Sequence, residues 1–341
     1  ASQLPTPEAM PSILRADQVI VAGDENQLPP SGYFEASVIH DENEESEESA
    51  EIEPLESLLD NCVAIFPIFE RTRLKWHYRS RDEALIRFSN HYFYNNDLIT
   101  FPSVATQATD QGVRLEFVEN GVWDRGRSRT NRKEARRTAE IVIDQLERHP
   151  ERSIGVVALN HTQREAIEDA LDEAMAERPH LEALFDQERP EPFFVKALEN
   201  VQGDERDTIL ISIGYGPTSE GKVPYSFGPI NVDGGWRRLN VVVTRAKWHT
   251  IVITSLKSHQ LDGVNPNNRG AVALRNLIAY AEAEGKIPGD RATIGGEETN
   301  DFEDSVQVAL QDRGFQVDSQ VGVGSYRIDL ALRDPRDKRR Y

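Results

Sequence analysis

The sequence predicts an α/β fold, a parallel β-sheet with helices on both faces, and three observations predict it. Apolar runs of strand length alternate with amphipathic stretches at helical spacing. The first run, Asp17-Gln18-Val19-Ile20-Val21-Ala22-Gly23-Asp24, ends in Gly-Asp, the pattern of a buried parallel strand that releases a loop. The chain has 341 residues, 38% of them hydrophobic, which suits about two domains with a sizeable core.

The elements follow in order from these patterns. Asp17–Asp24 reads as a strand and Leu55–Leu59 as a short helical turn. Asp82–Phe93 sets Ala84, Leu85, Phe88 and Tyr92 at helical spacing. Strands are predicted at Val113–Val118, Ile154–Leu159, Phe193–Ala197, Thr208–Ile213 and Thr250–Ile253, with helices at Asn131–Glu147 and Gln163–Met175. Such alternation implies parallel strands joined by crossovers. Residues 261–299 turn to Gly, Pro, Asn and acids around one helix, Ala271–Glu284, and read as a linker. Asn300–Tyr341 starts afresh with a helix and two strands, and no internal repeat is found.

Composition narrows the function classes. No apolar run approaches the ~20 residues that cross a bilayer, and this N-terminus does not read as a cleavable signal peptide. The lone cysteine, Cys62, makes neither an intrachain disulfide nor a four-ligand zinc site, which fits a reducing, cytoplasmic setting. A net charge of −19 argues against a nonspecific nucleic-acid coat. The acidity is concentrated, however, in a block from Asp41 to Glu53, which reads as a solvated, mobile insertion. Outside it, local arginine clusters remain able to hold phosphates.

Four strings carry chemistry. They are Gly23-Asp24-Glu25-Asn26-Gln27-Leu28-Pro29-Pro30, Trp76-His77-Tyr78-Arg79-Ser80, Val201-Gln202-Gly203-Asp204-Glu205-Arg206-Asp207, and Arg237-Arg238-Leu239-Asn240-Val241-Val242-Val243-Thr244-Arg245-Ala246. Singly, each has an ordinary reading: Gln202-Gly203 as a turn, Arg245 as a surface or ion-paired arginine.

Together, across about residues 1–256, they resemble motifs III, IV, V and VI of superfamily 1 helicases, in the 1B branch of the RNA-surveillance helicases and their bacterial DNA relatives. The resemblance implies two RecA-like domains that close on ATP and Mg²⁺, in a translocase on single-stranded DNA or RNA. Residues 1–60 then correspond to a remnant of the first RecA-like domain with its acidic insertion at 41–53, and 61–260 to the second domain. A transferring γ-phosphoryl carries spread negative charge that fixed guanidiniums stabilise. By position, Arg79 and Arg245 match the family's two such arginines, and Gln27 its contact to the γ-phosphate or attacking water. Asp24 shares that nucleotide-side loop. The resemblance further places Tyr78 beside the base, Glu205 at the ribose hydroxyls, and Gln202 and Gly203 in the loop beside the nucleotide.

The family's phosphate loop, Gly-x-x-x-x-Gly-Lys-Ser/Thr, is expected ahead of Ala1, because Ala1-Ser2-Gln3-Leu4 resembles the stretch immediately after the motif II Asp-Glu pair. Gly216-Pro217-Thr218-Ser219-Glu220-Gly221-Lys222-Val223 imitates the loop, but Val223 offers magnesium no hydroxyl and Pro224 begins no helix. Residues 1–341 alone are therefore expected not to turn over ATP. Their partner would be the N-terminal RecA-like domain of the same polypeptide. The alternative is a non-catalytic module, derived from a helicase, that grips nucleic acid or a protein.

Nucleic acid would be held by phosphate contacts and stacking. Pro29 and Pro30 and the loop at Asn160-His161-Thr162-Gln163-Arg164, with His161 and Arg164, are the candidates. His161 reads equally as a helix cap, Trp236 and Trp248 as core, and the basic helix Arg125–Arg137 as a phosphate patch or a solvated face. In the last segment, Glu303 on a helix and Asp329 on a strand look like the opening of a PD-(D/E)XK nuclease of the very-short-patch-repair type. That resemblance implies Asp329 as a metal carboxylate, with the Glu-x-Lys strand expected after Tyr341.

Overall fold

The computed structural model describes residues 1–30, 57–66, 71–100, 110–186, 188–201, 203–287, 300–322 and 327–336. The acidic block Asp41–Glu53 and Gln202 lie outside the described residues. Helices α1 (Thr6–Ile13) and α2 (Leu58–Ile65) precede a short parallel pair, β1 (Trp76–His77) and β2 (Ile99–Thr100), that flanks α3 (Ala84–Phe93). The main body then runs β3 (Gly112–Phe117), α4 (Arg132–Arg148), β4 (Ile154–Ala158), α5 (His161–Ala176), β5 (Phe194–Ala197), β6 (Arg206–Ser212), α6 (Trp236–Val243), β7 (Ala246–Thr254) and α7 (Arg269–Glu282). Last come α8 (Asp301–Gln311) and an antiparallel pair, β8 (Val317–Val321) and β9 (Ile328–Leu332).

The five strands of the body form one parallel sheet in the order β3-β7-β6-β4-β5. Because successive strand residues face opposite ways, the sheet serves two cores. Ile209, Ile211 and Val252 pack with Phe88 of α3, Leu239 of α6 and Leu274 of α7. Leu210, Ile251 and Ile253 pack on the other face with Val142 of α4 and Ile167 of α5. Both faces are covered, as a parallel sheet requires, and the architecture is consistent with a RecA-like fold. Three of the covering helices start on an asparagine cap, each worth about 1 kcal/mol. Asn131, Asn160 and Asn268 accept from the amides of Glu134, Gln163 and Ala271 at 3.3, 2.7 and 2.9 Å.

Several expectations are corrected. Asp17–Asp24 is no strand: no described strand bonds to it, and Ile20 is 85% exposed. An apolar run becomes a strand only where a neighbour covers it. The helix expected at Leu55–Leu59 runs over Leu58–Ile65 instead, because the Ser57 hydroxyl accepts from the Asp60 amide and sets its start. Arg125–Arg137 is helical only from Arg132, where the Asn131 cap begins it. Strand β7 is longer than Thr250–Ile253: it begins at Ala246, and the β6–β7 register shifts at Lys247–Trp248 before pairing resumes at His249. Within the stretch read as a linker, Leu274, Leu277, Ile278 and Ile287 are buried against the sheet, so α7 covers it.

Two buried groups give the body a pH response. His249 is 0% exposed, neither ring nitrogen has a hydrogen-bond partner, and burial and then Arg114 push its pKa from 6.5 to about 3. The unfolded chain takes up a proton that the folded ring refuses, so stability falls as pH drops below 6.5. Glu134, also buried, is pushed from 4.5 up to about 8 by burial; Ser212 Oγ and the Gly214 amide donate to it. Its contribution has the opposite sign, being full below pH 4.5 and lost as pH rises through about 8. Urea melts across this range are expected to show His249→Leu flattening the acid limb and Glu134→Gln flattening the limb between pH 4.5 and 8. Unchanged slopes would mean that both groups titrate as in the unfolded chain.

Candidate active site

The loop after Gly23 is built around one carboxylate. Asp24 accepts from the Asn26 amide at 3.0 Å, closing a tight turn, from Gln27 Nε2 at 2.9 Å and from the Tyr94 hydroxyl at 2.6 Å. Leu28, two percent exposed, anchors the loop in the core beside α3 and α6. From α6, Asn240 Nδ2 donates to the Asn26 carbonyl at 2.8 Å and to the Tyr94 hydroxyl at 3.1 Å. Gln27 is thereby fixed next to the helix that leads to Arg245.

At the end of that helix Thr244 stops the α6 hydrogen bonding and Arg245 turns back on it. Arg245 Nε donates to the Val241 carbonyl at 2.7 Å, and Nη2 to Thr244 Oγ1 at 3.1 Å. Burial, and then the neighbouring Arg79, lower its pKa to about 10, which leaves it a cation at neutral pH. Arg79 reaches the same corner, with Nη1 3.4 Å from the Thr244 carbonyl and Nε 2.7 Å from a Glu205 carboxylate oxygen. The side chains of Arg79 and Glu205 are 34% and 41% exposed, so their ion pair contributes only about 0–1 kcal/mol.

Two details of the loop before α3 keep its charge uncomplicated. His77 Nε2 accepts from the Ser80 amide at 3.2 Å, and burial followed by Arg79 lowers its pKa to about 4. The ring is therefore neutral at pH 7, and the guanidiniums are not joined by an imidazolium. Tyr78 is 84% exposed, with its ring standing in solvent beside Arg79. Gly203 ends the site's far side at φ +90°, a conformation in which any side chain is strained.

The sequence-predicted residues thus divide. Arg79, Arg245 and Glu205 meet at the Thr244 corner, while Asp24 and Gln27 are joined to the same helix through Tyr94 and Asn240; Tyr78 and Gly203 adjoin Arg79 and Glu205 in the chain. Pro30 is buried beside Leu28, and Pro29 is half-buried. His161 opens α5 half-exposed, 3.9 Å from Glu199, and Arg164 pairs with Glu168 and Glu165 at 3.1 and 3.3 Å. Trp236 is core, stacked on Phe93 at 5.1 Å, whereas Trp248 is half-buried between the guanidiniums of Arg81 and Arg152. Pro217–Val223 forms a turn and starts no helix. Tyr94 was missed: it ends the aromatic run Phe88, Tyr92, Phe93, whose helical spacing speaks only of packing.

In the last segment Gln320 Nε2 lies 3.3 Å from both Glu303 Oε2 and Asp329 Oδ1, so one amide draws the two carboxylates together. Arg333 pairs with Asp318 at 2.6 Å. Among the described residues no group of three or more His, Cys, Asp and Glu forms a metal cluster, and no helix is long and apolar enough to cross a membrane.

Comparison with known proteins bears on this corner. The family model described as AAA domain matches residues 55–257. The uncharacterized ATP-dependent helicase MG140 of Mycoplasma genitalium is 31% identical over 342 residues, covering 96% of this chain and 29% of that protein. Its homolog from Mycoplasma pneumoniae is 35% identical over 300 residues, covering 85% of this chain and 25% of that protein. The chain therefore spans under a third of the length of these relatives.

Proposed function

The chain belongs to the AAA domain family, and from that premise we propose that it supplies the arginine-bearing side of an ATP-hydrolysing motor of superfamily 1 that moves on single-stranded DNA or RNA. The observation that carries this reading is the convergence of Arg79 and Arg245 on the Thr244 corner, with Gln27 tied to the same helix through Asn240. Two guanidiniums and one amide suit a γ-phosphoryl and its attacking water. Relatives that cover most of this chain are named as ATP-dependent helicases, which supports the same reading. The phosphate loop and the magnesium carboxylates would come from polypeptide outside these residues. Asp24 is no substitute for them, since its oxygens already accept three hydrogen bonds.

The exposed Tyr78 ring would stack on the base, and Glu205 would exchange Arg79 for the ribose. Single-stranded nucleic acid would pass His161, Arg164 and Pro29. The test is ATP turnover by the full-length polypeptide, with and without single-stranded oligonucleotide. Stimulation is expected; turnover indifferent to DNA and RNA would sink the translocase reading.

A second reading concerns residues 300–336 alone. The shared hydrogen-bonding of Glu303 and Asp329 to Gln320 favours a nuclease-like half-site there. Two carboxylates would leave a divalent cation mostly water-bound, so no cleavage step is assigned to them.

A further inference from the structure

We infer that Tyr94 is a positioning residue of the hydrolysis site, its hydroxyl setting Gln27 against the helix that carries Arg245. The inference rests on the ATP-site reading above and adds to it a residue outside all four sequence strings.

The three groups predicted to meet the γ-phosphoryl lie far apart in sequence, yet one run of hydrogen bonds joins them. Gln27 Nε2 donates to Asp24 Oδ2 at 2.9 Å, and the Tyr94 hydroxyl donates to that same oxygen at 2.6 Å. Asn240 Nδ2 then donates to the Tyr94 oxygen at 3.1 Å. Thr244 Oγ1 shares its one proton between the Val241 and Asn240 carbonyls, at 2.9 and 3.1 Å, and accepts from Arg245 Nη2 at 3.1 Å. Arg79 joins at the Thr244 carbonyl. Among the described residues, Tyr94 links the Gln27 side to the arginine side by side-chain hydrogen bonds, and Asn240 Nδ2 also crosses to the Asn26 carbonyl at 2.8 Å.

Its own placement is rigid. Tyr94 caps α3 through an amide bond to the Ser89 carbonyl, and Asn95 and Asn96 follow at φ 53° and 59°, reversing the chain. Asn90 holds the returning strand by two bonds to Leu98. A side chain locked at its base delivers its hydroxyl to a fixed point, which is what positioning to a fraction of an ångström demands. Burial, and then the Asp24 carboxylate, hold the phenol protonated far above its ordinary range, so it remains a donor to Asp24 at any physiological pH. A hydrogen bond to a carboxylate is about twice as strong as a neutral one. With one Nε2 hydrogen donated to Asp24, the amide oxygen and the second N–H of Gln27 are left to meet water or phosphate.

Tyr94→Phe removes this hydroxyl and keeps the ring. In the full-length polypeptide, steady-state ATP hydrolysis is measured for the wild type, Tyr94→Phe, Gln27→Ala and the double variant, with Arg245→Ala alongside. Tyr94→Phe is expected to lower kcat at least about tenfold with KM for ATP within about twofold. If the hydroxyl acts through Gln27, the double variant is no slower than Gln27→Ala alone, the non-additivity of residues in one network. A kcat for Tyr94→Phe within about twofold of wild type, or effects that multiply in the double variant, would overturn the inference while Arg245→Ala remained inactive. An Arg245→Ala variant that hydrolyses ATP normally would instead remove the ATP-site reading, and this role with it.

Discussion

Replacing Arg245 with alanine in the full-length polypeptide is expected to lower kcat for ATP hydrolysis about 10³-fold or more, the loss typical of removing an arginine finger. The side chain is 4% exposed and held at two points, so its guanidinium is fixed before any phosphate arrives. Preorganised charge of that kind needs no reorientation as the γ-phosphoryl departs. The loss belongs to chemistry and not to folding, because truncation strands little. The Val241 carbonyl keeps the Thr244 hydroxyl at 2.9 Å, and the Arg245 carbonyl keeps the Arg206 amide at 3.2 Å. Melting temperature should therefore change by a few degrees at most, corresponding to roughly 1 kcal/mol. Lysine at this position is expected to rescue poorly, since a point charge cannot reproduce two divergent N–H bonds. A kcat unchanged by Arg245→Ala would return the residue to a structural arginine at a helix end.

Gly270→Ala is expected to destabilise the body by about 3 kcal/mol or more, at or above the upper end for overpacking. A Cβ there would lie 1.8 Å from the Ile230 carbonyl oxygen, and the obstacle is backbone that cannot rotate aside. Gly235, at the start of α6, approaches the same carbonyl, where a Cβ would stand 2.3 Å away. The first turns of α6 and α7 thus close on one peptide, and both starts are set by the absence of a side chain. Because α6 carries Asn240 and leads to Arg245, Gly270→Ala should also slow hydrolysis in whatever fraction remains folded. Urea melts check the first effect; a loss below about 1 kcal/mol would mean that the α7 start shifts freely.

The sheet and its helices were legible because their signals are local. Ile154–Leu159 and Thr208–Ile213 are apolar enough to declare a buried strand, and Asn131 and Asn160 announce the helices they cap. Failures occurred where a non-local fact decides. Val19 and Ile20 look like a strand, but only a neighbouring strand makes one, and none among the described residues pairs with them. His249 sits inside β7 as an unpartnered polar group that no strand pattern anticipates. In the site, residue types announced the charged and amide groups, Arg79, Arg245 and Gln27. The groups that hold them were silent: Tyr94 reads as one more aromatic, and its hydroxyl gains meaning only once Asp24 and Asn240 are brought to it.

The strand order also fixes a sequence of events in time. Strands β4, β5 and β6 are near neighbours in the chain, and β4 pairs with both β5 and β6, so this part of the sheet has short loops to close. Strand β3 finds its only ladder partner in β7 and must wait for residues 246–254 to leave the ribosome. The Asn26–Asn240 bond closes a separation of 214 residues, longer than either. Contacts at such range form late and slowly. A nascent chain would therefore carry a folded β6-β4-β5 centre whose β6 edge stood open, with β3 still unpaired and Asn26 still without Asn240. A pause in synthesis before α6 would leave that edge open to pairing with another chain.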